Sequence, residues 1–424
     1  MNLNGSIEKN NIIESTSVGK KNGMVFFFLC LWTIVNICRP QDIVLALVPL
    51  RPALMMGVLT LIFFFLNYNS KNLVALKEKQ VRYFFLLVLV MIIGIPTSLY
   101  SRASFEFVFF KYLMIVTYFV MFVLVVDSVE RIYRVLFLAC IGSGIYMAFS
   151  ILTWVPGSDR LTSVGSMFDG NDLCFYALCF IPLNLIFVSK DNKLLVRVMC
   201  LTCFFLGIVV ILLTSSRGGA LALGIAALAI FFRTTISINK RFKVIAVIAV
   251  TLILGMSAID IERLKTLFTL EQDYNITSDT GRLALWGRGI NAMLDNPLTG
   301  VGVGRYGEMA GKALKNEGGK EKWKAAHNSI LQIGAETGVF GLMLFLMLSW
   351  NVVKIFSRIS REATSIKLKK IGEMGLVGFI GMFSAAFFLS QAYSFFWAFY
   401  IGFSAVAFRL LSNELTLEGK KATP

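Results

Sequence analysis

The chain has 424 residues, of which 57% are hydrophobic, 13% are aromatic and only 16% are charged. Soluble domains carry about a quarter charged residues, so this composition excludes a string of soluble domains. Against that apolar background, 41 Lys and Arg residues and 25 Asp and Glu residues give a net charge of +16, with a single histidine. In a membrane protein such an excess usually marks cytoplasmic loops, and only rarely a nucleic-acid site.

Apolar segments of about 15 to 25 residues recur along the chain, and a helix of about that length crosses the hydrocarbon core of a bilayer. They predict an all-α, polytopic membrane protein with about twelve transmembrane helices. The predicted spans are Met24–Cys38, Pro52–Asn67, Tyr83–Tyr100, Phe105–Val126, Ile132–Trp154, Cys174–Val188, Leu195–Leu213, Gly218–Phe232, Phe242–Ile259, Ser329–Phe356, Ile371–Ser390 and Tyr393–Leu410. A polar stretch precedes the first span, so we expect no cleavable signal peptide.

The spans divide the chain into five parts. These are a tail over residues 1–23, spans over 24–259, a long loop over 260–328, spans over 329–412 and a second tail over 413–424. The long loop is the only predicted extramembrane part large enough to fold. Apolar residues at helical spacing within it predict amphipathic helices.

The basic residues lie mainly on one side of the predicted membrane. The tails and the connections on that side hold 25 of the 41 Lys and Arg residues, whereas the short connections on the opposite side hold five. Cytoplasmic loops carry such an excess, so both termini are predicted in the cytoplasm and the long loop on the outer face. Most of the net charge therefore reports topology and contact with anionic membrane lipids, and nucleic acid is not an expected partner.

The seven cysteines lie in or beside apolar segments, and none lies in the long loop. A disulfide framework is therefore not expected. Cys200 and Cys203 form a Cys-x-x-Cys pair within a predicted span. There, packing of small apolar residues on a buried helix is the favoured interpretation over metal or redox chemistry.

Arg217 lies in the short outer connection between the seventh and eighth spans, in the sequence Thr-Ser-Ser-Arg-Gly-Gly. At the membrane boundary its guanidinium could bind a phosphate through two parallel hydrogen bonds. Ser216 and the following glycines add a hydroxyl and accessible backbone N–H groups at the start of a helix, which favour an anion. An ordinary arginine that extends to the membrane surface is the alternative.

Residues 281–294 predict an amphipathic helix that lies along the membrane. Arg282 and Trp286 share one side of this helix, and Arg288 lies about 120° away from them. Two arginines on an interfacial helix suit a phosphate ligand, and surface charges that extend to the membrane boundary are the alternative. The spacing does not choose between Arg282 and Arg288 as the main phosphate ligand.

Two further features of the long loop have a structural and a functional interpretation. Residues 302–307 satisfy Gly-x-Gly-x-x-Gly, but no strand–helix–strand unit surrounds them, so we interpret them as a turn that approaches another backbone closely.

His327 precedes the span that begins at Ser329. Lysines and a helix N-terminus nearby favour its neutral form, which can accept a proton, although a lone histidine is usually structural. Glu336, inside that span, is either functional or paired with a polar group such as a lysine or a backbone end.

Three of these segments resemble one protein family. Residues 327–341 read His-Asn-x9-Gly-x-x-Gly, which resembles the signature of the O-antigen ligase family of bacterial membrane glycosyltransferases. The sequence around Arg217 is similar to a second landmark of that family. The Arg282-x3-Trp286 helix, followed by the sequence Asn-Pro-Leu-x-Gly-Val-Gly at residues 296–302, is similar to a third. The three occur in the family's order.

The resemblance implies an enzyme of lipopolysaccharide biosynthesis in the bacterial inner membrane. It would transfer a glycan from undecaprenyl diphosphate to a sugar hydroxyl of lipid A-core at the periplasmic face, where the long loop lies. A polysaccharide polymerase with the same donor and a ligase that glycosylates protein stay open. Leu342 favours the polymerase slightly, because ligases often carry Thr there. The implied catalytic residues are His327, Arg217 and Arg282, and the implied substrate-binding residues are Arg288, Ser216, Trp286, Asn328, Gly338 and Gly341.

The chemistry of the donor is consistent with these residues. Diphosphate is already a good leaving group, so the site needs charge stabilisation more than a general acid. Arg217 and Arg282, with Arg288 as a further candidate, would hold the diphosphate, and His327 would take the acceptor proton or orient the acceptor. The result is an inverting displacement that requires no metal and no other cofactor.

Two other classes of protein compete with this hypothesis. Twelve spans with inside termini are also typical of transporters, so a lipid-linked sugar transporter is the main rival. Transporters usually show two related halves and charges at mid-membrane. Here no repeat is evident and the polar residues concentrate in one outer loop, which favours an enzyme. A purely structural membrane protein would leave the grouping of Arg217, Arg282 and His327 unexplained.

Overall fold

The computed structural model of the protein describes residues 23–67, 70–155, 160–165, 169–233, 238 and 278–422. Regular structure in these ranges is helical, with no β-strand, which confirms the all-α prediction for them. The longer helices are α1 (Gly23–Cys38), α2 (Pro52–Leu66), α3 (Lys79–Ile93), α4 (Ser101–Val125), α5 (Val129–Leu152), α6 (Gly170–Asn184), α7 (Leu194–Leu213), α8 (Arg217–Arg233), α9 (Arg282–Asp295), α10 (Tyr306–Asn316), α11 (Ser329–Glu362), α12 (Ile366–Ala386) and α13 (Phe395–Ala422).

Each predicted span that falls within the described residues overlaps one of these helices, although α3 ends at Ile93, seven residues before the predicted end at Tyr100. The ninth predicted span, Phe242–Ile259, lies outside the described residues. Within the described residues, five helices are long and apolar enough to cross a membrane, namely α4, α5, α7, α11 and the part of α13 from Phe395 to Leu417. Helices α1, α2 and α8 are apolar but shorter. The chain is therefore a multi-pass membrane protein, and the count of twelve spans stays a prediction.

Helix α12 lies at the centre of the bundle and packs against α6, α8 and α11. Its glycines make this close packing possible, because a Cβ atom at Gly372 would lie 2.8 Å from Ile359 of α11. A Cβ atom at Gly381 would lie 3.2 Å from Ala226 of α8. Small residues let helix backbones approach closely in membranes. The packing fixes α6, α8 and α11 relative to one another, and all three begin at the same site, described below.

The seven cysteines are buried and form no disulfide, as expected from their positions in the sequence. Cys203 packs directly on Gly144, where helices α7 and α5 meet. Cys200 is fully buried on the same helix. The Cys-x-x-Cys pair therefore fills a helix interface, in agreement with the packing interpretation.

Helix α11 is interrupted at Gly338, which has a φ of 69°. The glycine-rich segment before α10 fills the break. The Val301 N–H donates to the Ala335 carbonyl at 2.9 Å, and the Val339 N–H donates to the Pro297 carbonyl at 2.8 Å. These bonds satisfy the backbone groups that the break leaves without helical partners, as a bilayer requires. This is the close backbone approach that the glycine-rich sequence predicted.

Glu336 holds the start of α10 at this break. Its carboxylate accepts hydrogen bonds from the N–H groups of Gly304 at 2.7 Å and Tyr306 at 3.0 Å. The first N–H groups of a helix have no helical partner, and a carboxylate there is favourable. Of the two interpretations offered by the sequence, the structure supports the pairing of Glu336 with a backbone end.

Candidate active site

Four helices begin at one polar cavity of about 280 Å³. Asp169 caps α6, Arg217 and Arg282 are the first residues of α8 and α9, and His327 directly precedes α11. The cavity is lined by Arg160, Asp169, Asn171, Ser215, Arg217, Gly218, Ser278, Thr280, Arg282, Leu285, Lys322, Lys324 and His327. Helix N-termini carry partial positive charge, so their convergence favours an anionic ligand.

The side chains in the cavity add to this positive potential. Five cationic side chains line it, namely Arg160, Arg217, Arg282, Lys322 and Lys324. Among the described residues that line the cavity, Asp169 is the only acidic one. Arginine forks and lysine ammonium groups at such a density suit a ligand with several negative charges, such as a diphosphate.

The turn between α7 and α8 presents Arg217 to the cavity. Ser215 has a left-handed backbone with a φ of 49°. The Ser216 hydroxyl accepts the Gly219 N–H at 3.1 Å and donates to the Asn171 side chain at 2.8 Å. Ser216, predicted as a substrate-binding residue, is buried and is not one of the lining residues. The structure instead places it as a cap that ties α8 to α6.

Helix α9 places Arg282 in the cavity and fastens the segment that precedes His327. The Trp286 indole N–H donates to the carbonyl of Ala326 at 3.0 Å. Trp286 is not among the lining residues. Its hydrogen bond fixes the distance between the two cavity walls that carry Arg282 and His327.

Arg288, on the same helix, lies outside the cavity. Its guanidinium is buried and binds Glu317, with Nε to Oε1 at 3.0 Å and Nη2 to Oε2 at 2.5 Å. It also donates to the carbonyl of Asp279 at 2.6 Å. A predicted substrate-binding residue is thus held in a structural ion pair that joins α9 to the end of α10. Of the two arginines that the sequence left open, the cavity contains Arg282.

The backbone conformation of His327 and the hydrogen bonds around it fix its position. Its φ is 48°, and its N–H donates to the Ser390 hydroxyl at 2.8 Å. Asn328 caps α11, because its side-chain oxygen accepts the N–H groups of Ile330 and Leu331, each at 3.0 Å. Left-handed backbone costs a non-glycine residue about 1–3 kcal/mol and clusters at functional sites. Two of the four such residues in the described part of the chain, Ser215 and His327, line this one cavity.

The surroundings of His327 favour its neutral form. Burial lowers the pKa of His327 below its ordinary value, and the positive charges of Arg282 and Lys324 lower it further. The carboxylate of Asp169 acts in the opposite direction. The lowered pKa leaves the imidazole neutral at pH 7, so one ring nitrogen is available to accept a proton.

The two signature glycines, predicted as substrate-binding residues, lie away from the lining residues. A Cβ atom at Gly338 would lie 2.5 Å from the Pro297 carbonyl oxygen, and its positive φ also requires glycine. At Gly341 the position of a Cβ atom is occupied by the Thr337 hydroxyl. Both glycines therefore shape the break in α11 and position the loop.

Several cavity residues were not assigned to the site from the sequence. Arg160 donates to Asn171 at 3.4 Å and to Asp169 at 3.5 Å, which brings a connection before α6 into the site. The sequence did indicate that Arg160 is unusual, because it is one of only five basic residues in the short outer connections. Lys322 and Lys324 were noted as neighbours of His327 but were not counted as part of the site.

Residues 202–346 match the family model for O-antigen ligase. This match supports the resemblance to the O-antigen ligase family that the sequence motifs indicated. The ligase domain contains Arg217, Arg282 and His327, whereas Arg160, Asp169 and Asn171 precede it. The chain therefore combines several membrane-spanning helices with a domain of the O-antigen ligase and polymerase type. No curated protein matches the chain.

Within the described part of the chain, no three His, Cys, Asp or Glu side chains are grouped so as to hold a metal ion. Asp169 and His327 both line the cavity, but Asp169 is engaged in capping α6. The donors of the cavity are cationic and suit an anion. A reaction without a metal stays a prediction.

Proposed function

We propose that the protein is an O-antigen ligase-type glycosyltransferase. It transfers a glycan from undecaprenyl diphosphate to a sugar hydroxyl of lipid A-core at the periplasmic face of the bacterial inner membrane. The observation that carries the proposal is the meeting of Arg217, Arg282 and His327 in one cavity with a large excess of positive charge. These residues are distant in sequence and come together through the starts of separate helices.

The cations would bind the diphosphate of the donor. Arg217 and Arg282 can each form paired hydrogen bonds to phosphate oxygens, and Lys322 and Lys324 add charge on the opposite wall. Negative charge grows on the leaving oxygen as the glycosidic bond breaks, so donors that are fixed in advance stabilise the transition state. The proposal assigns this task to side chains of the protein itself.

His327 would activate the acceptor. The neutral imidazole accepts the proton of the acceptor hydroxyl while the hydroxyl oxygen forms a bond to the anomeric carbon of the donor sugar. The bond between that carbon and the diphosphate oxygen breaks, and the diphosphate leaves with the electron pair. Attack opposite the leaving group inverts the anomeric configuration. The proton on His327 then passes to solvent.

A second candidate function is a polysaccharide polymerase that uses the same donor and the same cavity. The observation that favours it is Leu342, at a position where ligases often carry Thr. The two functions differ in the acceptor, since a polymerase extends another lipid-linked repeat. A ligase that glycosylates protein would differ in the same way.

A gene deletion, read on a polysaccharide gel, separates these acceptors. We expect unligated polymer with bare lipid A-core. A single repeat on the core would indicate the polymerase instead, and unchanged lipopolysaccharide with a lost glycoprotein or exopolysaccharide would indicate another acceptor. In each case the gel identifies the acceptor without any assumption about the cavity.

Complementation of the deletion strain then tests the cavity. Arg217→Ala and His327→Ala should abolish glycan transfer while the folded protein remains in the membrane. The matched control is Arg358→Ala, about 40 Å further along α11 than the cavity, where the arginine pairs with Glu362 at 2.7 Å on an exposed surface. Normal transfer by either cavity variant would contradict the proposed function.

A further inference from the structure

A second surface, separate from the cavity, runs along α10. It consists of two open depressions of about 700 Å³ and 450 Å³. Tyr100 and Trp323 line the first, and Leu99 and Asn316 line the second. Lys312 joins them, because it lines the second depression while its ammonium group lies 4.6 Å from the ring centroid of Tyr100. We refer to this surface, from Trp323 past Tyr100 and Lys312 to Asn316, as the α10 groove.

One face of α10 forms the floor of both depressions. Arg305 precedes the helix, and Glu308, Lys312 and Asn316 follow at steps of three, four and four residues. Residues at this spacing lie on the same side of a helix, one above the other. The α10 groove is therefore continuous over about three helical turns, or about 16 Å.

Trp323 is exposed yet held in place at one end of the groove. The indole is 62% exposed, and its N–H donates to Glu321 at 3.1 Å. One edge of the ring rests on α10 where Gly311 has no side chain, since a Cβ atom there would lie 2.6 Å from the indole. An exposed aromatic ring that is already ordered loses little conformational entropy when a ligand stacks on it.

The charges of the first depression are balanced. Arg102 pairs with Glu106 at 3.0 Å, and Arg305 pairs with Glu308 at 2.5 Å. A surface that contacts anionic lipid headgroups carries an excess of Lys and Arg, which this depression lacks. Paired charges offer both hydrogen-bond donors and acceptors to an uncharged ligand with many hydroxyl groups.

The second depression continues this pattern with amides. Asn291, Asn296 and Asn316 line it, and each amide side chain both donates and accepts hydrogen bonds. A sugar ring presents an apolar C–H face and an edge of hydroxyl groups. The charged residues of the second depression, Arg288, Lys312, Asp295 and Glu317, are balanced as in the first. An exposed aromatic face combined with amides and balanced charges is complementary to both parts of such a ring.

The groove and the cavity share one wall. Residues 321–326 have no helical structure, and within this segment the side chain of Trp323 borders a different depression from those of its two lysine neighbours. Lys322 and Lys324 line the cavity, whereas Trp323 lines the groove. A ligand along α10 therefore ends beside the segment that leads into His327.

We propose that the α10 groove binds the acceptor as an extended oligosaccharide, with one sugar ring stacked on Trp323. This inference rests on the proposed function for the identity of the ligand as an acceptor. The groove would bind the oligosaccharide over several sugars while the terminal hydroxyl of the oligosaccharide reaches His327. Affinity should therefore increase with the length of the oligosaccharide until the groove is filled.

Binding and transfer are measured separately to test the groove. The probe is the water-soluble core oligosaccharide that mild acid releases from the lipid A-core of the native host, used complete and as its outer part alone. Calorimetry with the full-length protein in nanodiscs measures binding, and steady-state kinetics measure transfer. Trp323→Ala should weaken binding and raise the acceptor KM about tenfold with little change in kcat, because it removes one aromatic anchor. The double variant Asn291→Ala/Asn316→Ala should remove the gain in affinity of the complete core over its outer part.

Two controls make the results decisive. Trp350→Ala removes another exposed indole, 60% accessible on α11, and should leave binding unchanged. His327→Ala should bind the oligosaccharide normally although it transfers nothing.

Unchanged binding and KM in Trp323→Ala would contradict the binding of the acceptor in the α10 groove while leaving the proposed function intact. If binding depends on Trp323 but the wild-type protein shows no transfer, the groove stands and the proposed function fails.

Discussion

The candidate active-site cavity and the break in α11 contain residues of the same sequence signature, but their electrostatics differ. In the cavity, five cations face one carboxylate, so the site carries positive charge that suits a ligand. At the break, the carboxylate of Glu336 is satisfied by two backbone N–H groups. Within one signature, His327 therefore lines the cavity, whereas Gly338 shapes the break in α11. Membership of a motif does not by itself assign a role to a residue.

The arginines of α9 repeat this contrast over a few residues. Arg282 lines the cavity, and Arg288 is buried against Glu317. Both are basic and both lie on one amphipathic helix, and their spacing alone does not choose between them. The difference is made by a partner 29 residues away that only the fold brings close.

The largest expected effect on activity comes from this pair. Arg282→Ala should lower the rate of transfer about 10²–10³-fold with an unchanged melting temperature, because it removes a donor that stabilises the leaving diphosphate. Arg288→Ala should instead lower the melting temperature and leave the rate per folded molecule within about threefold of wild type. Kinetics and thermal unfolding of the two purified variants make the comparison. An inactive but fully stable Arg288→Ala protein would reverse the assignment.

The break in α11 should respond to substitution through stability alone. Gly338→Ala combines a left-handed backbone with a Cβ atom 2.5 Å from the Pro297 carbonyl, so we expect a loss of several kcal/mol and a low yield of folded protein. Gly224→Ala is the matched control, since that glycine lies inside α8 with no atom close to its Cβ position. There, alanine should stabilise the helix by about 0.5–1 kcal/mol. Equal yields of the two variants would show that the break is not required.

The smallest expected effects concern the pH dependence of transfer. His327 must be neutral to accept a proton, and its pKa is lowered by burial and by Arg282 and Lys324. Activity should therefore be full at neutral pH and fall only as the pH drops through a value below about 6.5. Folding stability should decrease in the same direction, because the unfolded chain binds the proton more readily than the folded one.

Two substitutions should move the acid limb of the pH profile, the range in which activity falls as the pH drops, in opposite directions. Lys324→Gln removes a positive neighbour of His327 and should shift the limb to higher pH. Asp169→Asn removes the negative neighbour and should shift it to lower pH, while asparagine still caps α6. The profiles of kcat/KM against pH measure both shifts. Limbs that move together, or not at all, would exclude His327 as the titrating group.

The sequence predicted most of the helices for a simple physical reason. Apolar runs of membrane length are strong local signals, and each described one became a helix. The break at Gly338 was not predictable in this way, because the apolar run continues through it. Its cause is tertiary, since residues 297–301 supply the hydrogen bonds that the helix loses there.

The site was predictable to the extent that its residues lie in recognisable segments. Arg217, Arg282 and His327 were found through their positions at helix starts and their resemblance to a family signature. Arg160 and Asp169 belong to a connection before α6 that no motif marks, so only the packed helices bring them to the cavity. Ser216 and Trp286 were placed in the correct region but proved to hold its walls together.

The most direct test of the central claim is a reconstituted reaction. Purified protein in proteoliposomes receives an undecaprenyl diphosphate-linked glycan and lipid A-core, and both products are quantified. The account predicts one released undecaprenyl diphosphate for each glycan transferred, with no turnover by His327→Ala or Arg217→Ala. Movement of the lipid-linked glycan across the bilayer without any transfer, or full transfer by the His327→Ala protein, would contradict it.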